Sequence, residues 1–341
     1  MLPVFDTQSG IQYIQFQERN SFSPLYLAFY QKLVVLCMYK IPIVIVGINP
    51  RSGTNYLYQL LALHPNCVGS KHHGEDYLLY GSDKYLDFYR TVTMHWYPHW
   101  KNSHLDFKRA LEVGLLNYLD PGTGEAKYMI TKTPSAINSR NFLDVFSEGY
   151  MIIITRRGQD LVESFTKSFH ARFEDAVRGW KKGATAVHEV INNPEIMNSG
   201  RVIVIKYEDL YQKNGEVMTQ ILDFLKLDKT QFDFDKSEKL DVMGSSIFKG
   251  DSGKVTWNPI PKDETFNPLI RSSHWGRFKH YRYNWIAGKY SQELGYELYY
   301  NSKNPIYCIY NILLTMYDFL FRLAKRIFSP LKTREKTQTK I

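Results

Sequence analysis

Residues 42–63, PIVIVGINPRSGTNYLYQLLAL, constrain the fold more than any other stretch. The run is apolar without alternation as far as Ile48, the pattern of a strand covered on both faces in a parallel sheet. A turn containing Gly53 follows, and then apolar residues recur at helical spacing over 55–63. A strand that passes through a tight glycine turn into a helix presents backbone N–H groups and a helix N-terminus to an anion. That arrangement belongs to α/β sheets.

Three more apolar runs bounded by turn or charged residues read as buried strands: 128–131, 150–155 and 202–205. Helical patterns fall between and after them, at 106–119, 159–169, 173–192 and 216–227. The expected fold class is therefore α/β, a P-loop-type doubly wound, mostly parallel sheet flanked by helices in a single domain. The chain has 341 residues, 44% of them hydrophobic, enough for one large core. Residues 1–41 are expected as an N-terminal extension packed on that core, and 42–300 as the domain itself. Residues 228–275, dotted with Gly, Pro, Ser and Asp, read as a long surface excursion. Residues 301–341 read as an apolar or amphipathic helix with a basic tail.

Which anion the first loop holds depends on its cation. A nucleoside-triphosphate loop, G-x-x-x-x-G-K-[ST], needs its lysine for the β- and γ-phosphates and its hydroxyl for magnesium. Here Thr54 and Asn55 follow Gly53, and the cation is Arg51, two positions before the glycine. A guanidinium binds phosphate oxygens bidentately and needs no metal to do so. After the run 150–155 come Arg156 and Arg157, and Ser164 lies two helical turns further on. A hydroxyl and a guanidinium so spaced converge on one anion at the sheet end. Taken alone, the same spacing also describes a solvated helix start. Two such features at the carboxyl ends of strands, where ligands bind in these sheets, point to one site.

The two loops resemble those of the sulfotransferases that use 3′-phosphoadenosine 5′-phosphosulfate (PAPS) as donor. Their first loop reads P-[RK]-S-G-T-[TS] and holds the 5′-phosphosulfate; Pro50, Arg51, Ser52, Gly53 and Thr54 match it. Their second motif, a strand followed by Arg and, eight residues on, Ser, holds the ribose 3′-phosphate; Arg156 and Ser164 match it. VIVIKYEDL at 202–210 is similar to a late strand of the family, and HWGRFKHYRYNW at 274–285 more loosely to its C-terminal Arg/Trp stretch. The resemblance extends over residues 42–297. It implies Arg51, Ser52, Gly53, Thr54, Asn55, Tyr56, Arg156, Ser164, Arg277 and Lys279 as donor-binding residues. It also implies PAPS as co-substrate, 3′-phosphoadenosine 5′-phosphate (PAP) as product, and no metal. Asn55 departs from the pattern, standing where the family has a second hydroxyl.

Sulfuryl transfer is an in-line displacement in which an acceptor hydroxyl needs a base. One branch of the family carries a histidine after K-[TS] at the end of the next strand; this chain reads Lys132-Thr133-Pro134 there. The branches with a glutamate base place it about two dozen residues after the loop arginine, and Glu75 matches. Glu75 is thus the expected base, with His72 and His73 as neighbours that assist or replace it. Arg51 and Lys132 complete the expected catalytic set, Lys132 either touching sulfate or capping its strand in solvent. A metal cluster of His72, His73, Glu75 and Asp76 lacks a second ligand group to support it.

Net charge is +9, yet seven Lys and Arg fall in residues 322–341 against Glu335 alone. The excess is a property of the tail, so nucleic-acid binding is not expected. The stretch 304–328 is apolar almost all round but carries Asn311, Asp318 and Arg322. It reads as a terminal helix on the protein's own core or as a helix lying in a membrane interface. Three scattered cysteines and the absence of an N-x-[ST] site lead to a cytoplasmic expectation, peripheral on a membrane if the helix faces one. The acceptor is expected to be a hydroxyl on a small molecule, glycan or lipid. The alternatives are a P-loop nucleotide kinase and an inactive membrane-surface protein of the same fold.

Overall fold

The computed structural model describes residues 2–6, 10–14, 40–71, 75–96, 103–122, 125–244, 258–262, 266–300 and 304–338. Leu2–Asp6 (β1) and Gly10–Ile14 (β2) pair antiparallel, Leu2 opposite Ile14, in a compact unit of residues 1–40. The second unit, residues 41–341, is built on five parallel strands: Ile41–Gly47 (β3), Cys67–Gly69 (β4), Tyr128–Thr133 (β5), Tyr150–Thr155 (β6) and Val202–Lys206 (β7). Their order is β4-β5-β3-β6-β7. The longer helices are Thr54–Leu61 (α1), Ser82–Trp96 (α2), Ser103–Leu119 (α3), Gly158–Phe169 (α4), Phe173–Ile191 (α5), Asn214–Phe224 (α6), Arg277–Glu293 (α7) and Pro305–Gln338 (α8). This is the α/β parallel architecture that the apolar runs require.

Burial explains why those runs are continuous. On one face Ile43, Ile45, Ile130, Ile152 and Ile154 pack with Leu57, Leu60 and Leu61 of α1 and Met218, Ile221 and Leu222 of α6. The intervening Val44, Val46, Met151 and Ile153 are equally buried, so both faces of the central strands are covered. The register sets Ile45 beside Lys132 and Gly47 beside Ile154, which brings the ends of β3, β5 and β6 level.

Four elements differ from expectation. β4 is three residues long and too short to stand out from its surroundings. β5 runs two residues past its apolar run, because Lys132 and Thr133 pair with Ile45 and Val46. α2 lies outside the expected helices, and α7 carries polar and aromatic residues all round, so no apolar stripe marks it as a helix. The excursion at 228–275 is ordered where described: a short helix, Phe234–Glu238, and a bridge between Val242 and Ile260.

Leaving β3, the chain turns toward β5 and β4; leaving β6, it turns to β7 on the other side. The carboxyl ends of β3 and β6 therefore flank the point where connections diverge, the usual place for a ligand crevice in an open α/β sheet.

Candidate functional site

A cleft of about 260 Å³ opens at that point. Strand-end residues line one part of it: Pro50, Arg51, Gly53, Thr54, Asn55, Tyr56, Glu75, Arg156 and Ser164. Residues of the excursion line the other, among them Leu240, Met243, Phe266 and Arg271.

The first loop is held by its own polar atoms. Ser52 Oγ donates to the Asn49 carbonyl and accepts from Asn49 N at 3.1 Å, closing the turn. Ser52 is buried by this and does not line the cleft; its hydroxyl shapes the loop that the sequence expected it to present to the donor. Arg51 has φ +82°, a left-handed conformation uncommon for a residue with a side chain. It is held there by Arg156, whose Nη1 donates to the Arg51 carbonyl at 2.7 Å. Gly53 has φ +101°, and a Cβ there would lie 2.3 Å from the Tyr207 ring, so only glycine fits. Gly53 caps α1 without a side-chain bond, and the first intrahelical bond runs from Leu57 N to Gly53 O. The N–H groups of the first turn thus have no partner within the helix, at a place that lines the cleft.

The second motif meets the first directly. Arg51 Nε donates to Ser164 Oγ at 3.2 Å, across 113 residues of chain. Arg156 is buried, lies 4.5 Å from the Tyr207 ring centre and donates through Nη2 to the Pro268 carbonyl at 2.6 Å. Its Nε is buried without a hydrogen-bond partner. Burial, then repulsion from Arg156 and from Arg271, pulls the Arg51 guanidinium down to about 10. Three guanidinium groups share a small volume, and an anion among them would relieve both repulsion and desolvation.

Glu75 lies at the cleft beside Arg51, with Tyr77 Oη 3.5 Å from its Oε2, and its backbone bridges to Lys132 at the end of β5. Neighbouring Asp76 is turned away into the protein. It accepts from Leu78 N at 2.8 Å, from Thr133 Oγ1 at 2.9 Å and from Thr131 Oγ1. Burial pushes its carboxyl up to about 6. His72 and His73 lie outside the described residues.

Lys132 does not cap its strand in solvent. It is buried, because β5 extends past its apolar run, and its ammonium donates to Asn55 Oδ1 and lies 5.5 Å from the Tyr58 ring centre. Asn55, which it holds, lines the cleft. Burial pulls its ammonium below the usual lysine value. Tyr56 lines the cleft while its hydroxyl accepts from Asn214 Nδ2 at 2.9 Å; burial pushes it up to about 12.

Arg277 and Lys279 are not brought to the cleft. Lys279 is held by Glu163 at 3.0 Å and lies 4.4 Å from the Trp275 ring centre, while Arg277 is exposed near Tyr300. The cation that this part of the chain does supply is Arg271, which the sequence reading missed. It stands three residues before His274, with no local pattern to single it out. Among the described residues no group of His, Cys, Asp or Glu is arranged to hold a metal ion.

A model of the sulfotransferase family matches residues 42–231. Comparison with curated protein sequences gives no match. Among solved structures, the sulfotransferase domain from the Synechococcus PCC 7002 olefin synthase is similar at 17% identity and TM-score 0.46, covering 76% of this chain and 97% of that one. The sulfotransferase domain from the curacin biosynthetic pathway is similar at 14% identity and TM-score 0.42, covering 77% and 99%. A retinol dehydratase in complex with androsterone and inactive cofactor PAP is similar at 13% identity and TM-score 0.39, covering 76% and 82%.

Proposed function

We propose that this chain, which belongs to the sulfotransferase family, is an O-sulfotransferase that uses PAPS without metal help, with Glu75 as its base. The observation that carries the reading is the convergence of Arg51, Arg156 and Ser164 at the ends of β3 and β6. Arg156 and Ser164 would hold the 3′-phosphate, remote from the reacting sulfur. The α1 N-terminus and Arg51 would hold the 5′-phosphate, whose bridging oxygen leaves with the electron pair of its bond to sulfur.

In that displacement the acceptor oxygen forms a new bond to sulfur as the bond from sulfur to the 5′-phosphate oxygen breaks. The proton lost by the acceptor goes to the Glu75 carboxylate, and the products are a sulfate ester and PAP. The protein's own contribution is position and charge: guanidinium and backbone N–H groups fixed where negative charge accumulates on the leaving group. Lys132 acts through Asn55, orienting its amide at the loop, and is a positioning residue. The acceptor is a hydroxyl of a small molecule, glycan or lipid. We read residues 42–300 as the transferase domain, working in the cytoplasm.

Thermal melting with PAP, with and without magnesium, tests the donor reading. Stabilisation by PAP that is indifferent to magnesium is expected, growing with ligand concentration as mass action requires. Stabilisation by magnesium-ATP and not by PAP would point to a kinase. Labelled donor offered to a panel of hydroxyl compounds then tests the transfer itself.

A further inference from the structure

The C-terminal helix α8 is turned inside out. A helix docked on its own protein ordinarily faces the body with its apolar residues. Here Asn311 and Asp318 are each 2% exposed, whereas Ile306, Ile309, Leu313, Met316, Phe319 and Leu320 are 58–65% exposed. The contact with the body is a narrow stripe at helical spacing. Tyr307 stacks on Tyr281 at 3.7 Å between ring centres, and Tyr310 meets Phe278 at 4.9 Å. Arg282 donates to the Asn311 carbonyl at 3.1 Å and to Thr315 Oγ1 at 3.0 Å. Asp318 pairs with Arg178 and, at 3.5 Å, with Arg172. Asn311 and Asp318, two of the three polar interruptions in the sequence, are thus used on the protein side, the third, Arg322, pairs with Asp318 at 3.2 Å, and the opposite side is left apolar.

We infer that α8 seats this protein on an anionic membrane surface, lying in the plane of the interface. The stripe from Tyr307 to Asp318 spans about 16 Å at the rise of an α-helix. A body packed along that length excludes a crossing, since Arg172, Arg178 and Arg282 would be carried into the hydrocarbon. An in-plane helix needs only its outward face buried. Charge selects the lipid: Arg322, Lys325 and Arg326 are exposed beyond the apolar face, and the sequence adds Lys332, Arg334, Lys336 and Lys340 against Glu335. That run attracts an anionic surface and opposes a second copy of the same helix, which would bring like charges together.

The test is co-sedimentation of the full chain with vesicles of phosphatidylcholine alone and of phosphatidylcholine mixed with phosphatidylserine, at low and high salt. Binding to the mixed vesicles is expected, weakened but not abolished by salt. Leu313→Glu with Leu320→Glu should lower it at least about tenfold through lost apolar burial, and Lys325→Glu with Arg326→Glu by about tenfold at low salt only. Neither pair should change the melting temperature, because these side chains are exposed. Full-length protein that binds neither vesicle, or a leucine variant that binds like the unaltered chain, overturns the inference. So does a stable dimer that Leu313→Glu and Leu320→Glu convert to monomer, which would give the face to a second copy.

Discussion

The two parts of the cleft lining are built by different means. Arg51, Arg156 and Ser164 sit where strands end, and sheet hydrogen bonds fix those ends against one another. Leu240, Met243, Phe266 and Arg271 come from a stretch with little regular structure, joined to the body by contacts such as Arg156 Nη2 to the Pro268 carbonyl and Tyr211 Oη to the Phe266 carbonyl at 3.0 Å. The strand-end part brings two guanidinium groups, a hydroxyl and a helix N-terminus to the cleft, while the excursion brings Arg271 and apolar side chains. Arg156 belongs to both, since one guanidinium holds the Arg51 loop and the Pro268 segment together.

That contrast is testable by substitution on each side. The largest effect is expected at Glu75, on the strand-end side. Glu75→Gln should lower turnover by roughly 10²–10⁴-fold if the carboxylate takes the acceptor proton, with PAP affinity near that of the unaltered chain. Parallel loss of PAP affinity in calorimetry would instead make Glu75 a structural element of the loop. Arg156→Ala should come next, weakening PAP binding by on the order of 1.5–3 kcal/mol, the scale of a charged hydrogen bond. It should also loosen the excursion, read as faster amide exchange around Pro268. Arg271→Ala, on the excursion alone, is expected to cost PAP affinity about tenfold with no change at the Arg51 loop. Equal exchange patterns in the two arginine variants would erase the distinction between the two sides.

The smallest effect concerns pH. Asp76 holds its proton more tightly folded than unfolded, so its contribution to stability is full below the ordinary carboxylate value and is lost as pH rises through about 6. Between pH 5 and 7 that loss is about 1 kcal/mol. Asp76→Asn should remove this slope, measured as the difference between urea midpoints of the two proteins across that range.

The strand-end side was legible because buried parallel strands leave continuous apolar runs and because the anion chemistry requires Arg, Gly and a hydroxyl at short spacing. Gly53, Arg51, Arg156 and Ser164 stand at that spacing, and all four line the cleft. The place of the Ser52 hydroxyl was not legible, because a hydroxyl in such a loop serves a turn or a ligand equally well, and in the structure it bonds Asn49. The burial of Lys132 was not legible because strand ends are set by partners: register with Ile45 draws it into the sheet. Arg271 was missed, with Arg277 and Lys279 chosen in its place, since residue type marks a cation but not the direction in which a loop carries it. α8 was left between core and interface, because its composition does not say which side meets the body.

The loop around Arg51 is held by the protein's own groups. Gly53 lies against the Tyr207 ring, Ser52 ties the turn to Asn49, and Arg156 holds the Arg51 carbonyl. The clustered guanidinium groups at this loop would attract a multiply charged nucleotide over a long range, so donor capture should be steered by charge. The association rate should then fall steeply as salt is raised while the dissociation rate stays nearly constant, and variants of this loop should differ mainly in residence time.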